Sequence, residues 1–401
     1  MAVTTIQSNN KLIKFTQQIN REFVRKNLFR PYMGEGLDSI IRIANDLKQG
    51  GEQMNIPLVT KLTGSGKSTG TLAGAEEIIN NYGMRAWIDW LRHAVVTTKA
   101  ESQKDSADIF GEAKPLLADF VAERQRDELI QALFALPTES APTNLGTDEG
   151  QRINGILWDQ ASAAQRNTWV SDNVDRVLFG NAISNHVSGS TVASATSALS
   201  VIGSVKLTAT TVQMLKRRAE MCSPKIRPYK TEDGYEYYVL FAGSYAFRDA
   251  KTDSTIFQAN RDARPREGRS MDGNPIFQDG DLIYDGVIIR KVPEISTFTT
   301  NTWTTLASAS VSGRVEPVFL CGQQAATIAF GQMAKPTFRK EDDYGFITGT
   351  GIEMAYGIIK NFKKHPMYVT NNSTGAQSLT NASALVQWGM VTGFFFASID
   401  S

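Results

Sequence analysis

Residues 51–95 read GGEQMNIPLVTKLTGSGKSTGTLAGAEEIINNYGMRAWIDWLRHAV, and this stretch decides the fold. Met54, Ile56, Leu58 and Leu62 share one parity, the period-two signature of a strand with one apolar face. Pro57 cannot donate a ladder hydrogen bond, so the strand belongs at an edge or on a projection. The segment Gly64–Gly70, GSGKSTG, predicts a flexible turn, and a second extended stretch, MRAWIDWLRHAVVTT (84–98), runs back from it. Together they predict a long projecting hairpin.

The tip of that hairpin carries two catalytic look-alikes. A phosphate-binding loop of the form G-x-x-x-x-G-K-[ST] needs glycine at position 61, where the chain has Lys61. It also needs a helix starting at the lysine, and Thr69-Gly70-Thr71-Leu72-Ala73-Gly74 is a poor first helical turn. Gly66-Lys67-Ser68-Thr69-Gly70 fits G-x-S-x-G but lacks the helix of a nucleophile elbow. A nucleotide hydrolase using residues 64–69 is therefore the minor alternative, and a hairpin tip is the reading adopted.

Outward from the hairpin, residues 11–30 (KLIKFTQQINREFVRKNLFR) space Leu12, Phe15, Ile19 and Phe23 as on a helix. Six basic residues stand there against the single acid Glu22, a net +5, which predicts an amphipathic arm packed on another subunit, with a weak contact to polyanion as the alternative. Residues 102–136 predict one very long helix, capped by Ser102 or Asp105, with Ile109, Ala113, Leu116 and Phe120 as its stripe. Unbroken, it would run about 50 Å. Pro115 marks a kink or the first turn, and ERQRDE (123–128) predicts an exposed surface with Glu123–Arg126 and Arg124–Glu128 pairs.

A shorter helix is expected near 158–180, a Ser/Thr/Gly-rich linker over 186–204, and a helix over 206–222 with Thr208 as N-cap and Leu207, Val212, Leu215 and Ala219 inward. Beyond Pro224 the pattern turns to strands: YEYYVLFAG (235–243), a hairpin at 281–292, a strand running into a small-residue helix over 315–333, and further strands over 344–364. The tail from 365 is Asn/Ser/Thr-rich and then apolar.

Composition narrows the function. The chain balances 42 Lys+Arg against 41 Asp+Glu, so a strong binder of nucleic-acid phosphates is excluded. Cys222 and Cys321 build no disulfide framework and predict reduced, buried thiols of a cytosolic product. His93, His186 and His365 do not pair at metal-ligand spacing, and Glu341-Asp342-Asp343 reads as a solvated loop. No catalytic, cofactor-binding or metal-binding residues are assigned.

The order of parts resembles the HK97-like capsid fold of tailed phages, an α+β fold. At sequence level 51–95, SADIFGEAKPLLADFVAERQRDELIQALF, IRPYKTEDGYEYYVLFAG, NPIFQDGDLIYDGVIIRKVPEI and VFLCGQQAATIAFGQM are similar to blocks of the N4-like phage major capsid family. The resemblance implies an N-terminal arm (1–50), an E-loop hairpin region (51–100), a P-domain with spine helix and insertion (101–204), an A-domain (205–335), and a return to the P-domain with a C-terminal tail (336–401). It implies hexamers and pentamers closing an icosahedral shell around double-stranded DNA, without cofactor or membrane. Portal, decoration and scaffolding proteins are further partners of such a shell. The virion is the implied location, after assembly in the host bacterial cytoplasm. An encapsulin-type compartment is the alternative within the same fold. Expected assembly contacts are Met54, Ile56, Leu58, Gly64, Lys67, Trp87 and Trp90.

Overall fold

A computed structural model describes residues 27–59, 66–73, 76, 81–104, 109–147, 150–181, 191–201, 205–230, 234–262, 281–296, 314–339, 343–364, 368–370, 377–379 and 384–397. Most of the basic arm, Gly64, His186, His365 and Glu341-Asp342 lie outside the described residues.

The parity read at Met54, Ile56 and Leu58 becomes the strand Gln53–Val59, with alternate residues buried. It pairs antiparallel with Asn81–Trp87, Gln53 opposite Trp87 and Val59 opposite Asn81. The returning stretch is not one strand. It breaks at Ile88, and Asp89–Thr98 joins a different sheet against Ile347–Lys360. The hairpin therefore projects from a sheet edge rather than continuing through it.

That second sheet has the order Met33–Gly34, Ile41–Ala44, Ala326–Phe338, Ile347–Lys360, Asp89–Thr98, with Ile153–Asn154 pairing on Ile347–Lys360. The helix Ala113–Phe134 lies across it. At 22 residues it runs about 33 Å, shorter than the sequence predicts. A separate short helix, Lys99–Lys104, takes the amino-terminal part of the predicted span; it contains Ser102, and Asp105 lies outside the described residues. Pro115 falls in the first turn of the long helix, where its missing N–H costs nothing. The buried stripe is Ala113, Leu117 and Val121, while Leu116 is exposed.

A seven-stranded sheet forms the other body: Leu282–Tyr284, Val287–Lys291, Glu236–Ala242, Arg314–Cys321, Met390–Ala397, Val177–Phe179, with Tyr229–Lys230 on Glu236–Ala242. Helix Ala209–Met221 packs on it through Val212, Leu215 and Ala219, with Leu207 just before the helix, all fully buried as read from the sequence. The hairpin at 282–291 turns at Asp285 and Gly286, both at positive φ, as a type I′ turn requires.

Three other expectations are corrected. The small-residue stretch after Gly322 is the strand Ala326–Phe338, not a helix, because pairing with Ile347–Lys360 and Ile41–Ala44 overrides local propensity. Residues 192–201 form a helix within the supposed linker, burying Val192, Ala195 and Leu199. The helix near 158–180 is confined to Ala163–Asp172 by a Ser162/Gln165 capping box and by Asn173. The apolar tail enters the seven-stranded sheet as Met390–Ala397, buried at every position. Its Phe394 stacks on Phe179 at 4.8 Å, within an aromatic core that also holds Phe134, Trp158 and Trp169.

Candidate assembly surfaces

Met54, Ile56 and Leu58 are all buried within the chain itself. Met54 and Ile56 meet Ala44, Leu47, Ala329, Ile359 and Phe362, so the hairpin root is anchored on its own sheets. The opposite hairpin face is exposed, with Val59 60% accessible. Lys67 is exposed, and its Nζ donates to the Thr71 carbonyl at 3.4 Å. Gly66 and Gly70 sit at positive φ and no helix forms over 66–73, so neither catalytic look-alike has the backbone it needs.

Trp87 is half-buried and Trp90 is 51% exposed, despite lying only three residues apart. Trp90 stands between two clefts of 690 Å³ and 540 Å³, which share Asp89, Trp90 and Gly146. The loop after the long helix closes this corner by donating the Gly146 N–H to Asp89 at 3.2 Å.

One surface had only a weak sequence signal, the β-branched run at 95–98. Asp89–Thr98 is the last strand of its sheet. Lys99 donates to the Phe346 carbonyl at 2.9 Å, and antiparallel alternation then turns odd-numbered residues of the strand toward Ile347–Lys360. The even-numbered Arg92, Ala94 and Val96 turn their backbone groups outward, and no described strand pairs there. Trp90 faces the same way, but its N–H is held by Asp89 at 2.8 Å and its carbonyl by Arg152 at 2.9 Å. The open edge contains no proline and no lysine, the residues that usually blunt such edges. His93 on the sheet's other face is exposed and stacks on Phe120 of the long helix at 4.4 Å.

Apolar side chains crowd the end of this sheet. Phe338 and Val95 both pair with Thr350 and, with Leu116 and Phe346, are exposed. The Lys114 ammonium lies 5.1 Å from the Phe338 ring centre. An exposed apolar group rimmed by charge is the make-up of a protein contact.

Beneath these surfaces the scaffold is held by buried polar groups. The ERQRDE segment is not a solvated face: Arg126 and Glu128 are buried. Glu128 accepts Arg152 at 2.6 Å, Arg124 at 3.1 Å and the Tyr356 hydroxyl at 2.5 Å. Burial and the neighbouring Glu128 charge push the Tyr356 phenol upward, so it stays a donor. Arg176, fully buried, donates to the carbonyls of Gln387, Trp388 and Pro224 and so ties the tail to the body. Burial lowers the Lys360 ammonium from its ordinary 10.5 to about 7; its Nζ reaches the Leu133 carbonyl at 3.3 Å. Cys222 and Cys321 are buried free thiols, both raised by burial.

Among the described residues no His/Cys/Asp/Glu group is placed to hold a metal, and no helix is long and apolar enough to cross a membrane.

The phage capsid protein family matches residues 3–376. The cyanophage Pam1 capsid asymmetric unit superposes with a TM-score of 0.80 at 30% identity, covering 100% of both chains. The capsid of Ralstonia phage GP4 superposes at 0.68 with 16% identity over 100% of both chains. The capsid of Helicobacter pylori bacteriophage KHP30 superposes at 0.63 with 13% identity over 97% of this chain and 96% of that one. The last two share the fold alone, and a comparison with curated proteins finds no match. With an HK97-like fold and a family match over nearly its whole length, the chain belongs to the phage capsid protein family, as a major capsid protein of the head shell.

Proposed function

We propose that this capsid protein assembles as hexamers and pentamers into an icosahedral shell around double-stranded phage DNA, within the N4-like group. The observation that carries the contact mode is the open edge at Arg92, Ala94 and Val96, which suits a strand from a second copy. Trp90 beside that edge supplies an aromatic anchor and the exposed Lys67 a further contact, with Gly64, outside the described residues, expected beside it. Met54 and Ile56 contribute by holding the hairpin root firm, with Trp87 at its base, and Leu58 is buried further out on the same strand face. Residues 1–50 serve as an arm, 51–100 as the hairpin region, 101–204 as the spine-helix domain, 205–335 as the second domain and 336–401 as the return and tail, with strands exchanged between the bodies: Ala326–Phe338 crosses to the six-stranded sheet, and Val177–Phe179 and Met390–Ala397 enter the seven-stranded one.

The near-neutral charge supports a shell that confines its DNA rather than gripping it. Portal, decoration and scaffolding proteins complete the head, which is assembled in the host bacterial cytoplasm. Electron microscopy of the purified protein, with light scattering for mass, tests this. Closed particles or rings of five and six copies are expected; a 44.1 kDa monomer under every condition would overturn it.

A further inference from the structure

Only Ile88 separates the hairpin strand Asn81–Trp87 from the sheet strand Asp89–Thr98. Ile88 donates to the Glu52 carbonyl at 3.1 Å, so by alternation the Trp87 N–H and C=O turn away from Gln53–Val59. No strand pairs with Trp87 on that side among the described residues. The side-chain amide of Asn154 takes both groups instead. Its Oδ1 accepts the Trp87 N–H at 2.9 Å, and its Nδ2 donates to the Trp87 carbonyl at 2.9 Å. The Nδ2 also reaches the Ile358 carbonyl at 3.3 Å. Asn154 is 5% exposed, so water does not replace these bonds.

Two glycines close the same joint. A Cβ on Gly357 would lie 1.9 Å from the Trp87 carbonyl oxygen, and one on Gly331 would lie 2.5 Å from the Ile88 side chain. The hairpin root is thus gripped by one amide and seated in a gap at Gly357 that only glycine leaves open, with Gly331 giving room to the movable end of Ile88. The neighbouring strand Ala326–Phe338, by contrast, shifts register twice, between Phe330 and Gln332 and between Gln332 and Lys335.

We infer that Asn154 is a positioning residue that fixes the angle between the hairpin and its sheet, making the two a single rigid lever. Differences in curvature between positions of a shell are then absorbed beyond the root, at the second shift of Ala326–Phe338, between Gln332 and Lys335, where the ladder is already bent; the first shift, at Gly331, lies within the joint itself. This rests on the shell reading above.

Hydrogen exchange of the unassembled subunit and microscopy of its particles test the inference. In the unaltered protein the Trp87 amide should be as protected as the amides bonded inside Asp89–Thr98; exchange as fast as in an open turn would overturn the latch, whatever any variant does. Asn154→Asp keeps the shape but loses the donor, and Asn154→Ala loses both partners. Asn154→Ala should speed Trp87 exchange roughly tenfold or more, whereas Asn154→Asp, which keeps the acceptor for the Trp87 N–H and loses the donor to the Trp87 and Ile358 carbonyls, should speed it less. Each should also give mixed diameters or open sheets where the unaltered protein closes to one size. Loss of thermal stability with unchanged particle diameter and unchanged Trp87 exchange would sink the inference. Failure of the unaltered protein to form any particle would count against the shell reading and leave exchange to decide the latch.

Discussion

The Tyr356 hydroxyl donates to the Glu128 carboxylate at 2.5 Å, joining residues 228 positions apart. Glu128 belongs to the long helix and Tyr356 to the longest strand, and Arg152 completes the pair from the segment between them. The carboxylate is buried and receives three different side chains, so its charge is fully compensated. Glu128→Ala strands the Arg152 guanidinium and is expected to destabilise the subunit by about 3–5 kcal/mol. Tyr356→Phe removes one charge-assisted bond and should cost about 1.5–3 kcal/mol. Denaturant unfolding of unassembled subunits measures both, and equal losses would contradict the unequal roles.

Lys360 makes stability depend on pH. Its folded value is about 7 against an ordinary 10.5, so between these limits the unfolded chain holds a proton that the folded chain has released. Its contribution to stability therefore rises as pH rises through that window, and below about pH 7 a charged lysine sits buried in the fold. Lys363, lowered by burial and by Arg176 to about 8, acts in the same direction. Melting curves from pH 6.5 to pH 9.5 on the order of half-unit steps should show the rise. Lys360→Met should flatten it and raise stability most at the acid end.

Gly357 is required by contact, not by its dihedral angles. Alanine there would set a methyl group 1.9 Å from the Trp87 carbonyl oxygen, and backbone cannot yield as a side chain can. Gly357→Ala is expected to lose about 1–3 kcal/mol or more and to loosen the hairpin root. A melting temperature equal to that of the unaltered protein would show that the strand moves aside freely.

Trp90→Ala separates assembly from folding. Half of Trp90 is exposed, so the isolated subunit should change by no more than about 0.5–1 kcal/mol. Removing the proposed aromatic anchor should nevertheless raise the concentration needed for particles by tenfold or more, for a loss of about 2 kcal/mol per contact. Lys67→Ala and Ser68→Ala should leave folding intact and reveal no lost hydrolysis. Sedimentation across a concentration series checks the first, and a phosphate-release assay the second.

Much of the fold was legible because its signals are local. Parity at Met54, Ile56 and Leu58, capping at Thr208 and the Asp285-Gly286 turn are each written within a few residues, and each element formed where they point. The departures share a different origin. Residues 326–333 look helical by their small side chains, but two neighbouring strands claim their backbone. Glu128 looks like a surface charge because its partners are 24 and 228 positions away. The open edge follows from the sheet order, which no local pattern encodes. Asn154 carries no signal at all: one buried amide reads like any other polar residue until Trp87 is placed against it.

The strand Met390–Ala397 lies inside the seven-stranded sheet, between Arg314–Cys321 and Val177–Phe179. During synthesis the ribosome delivers those two flanking strands long before the strand that belongs between them. Until residues 390–397 emerge, each flank keeps an unpaired ladder and the aromatic core lacks Phe394. That half of the subunit is therefore completed late, which delays its surfaces from engaging other copies while translation is under way. A nascent chain stalled before residue 390 should bind chaperones and resist incorporation, giving each polysome a built-in interval before its products can join a shell.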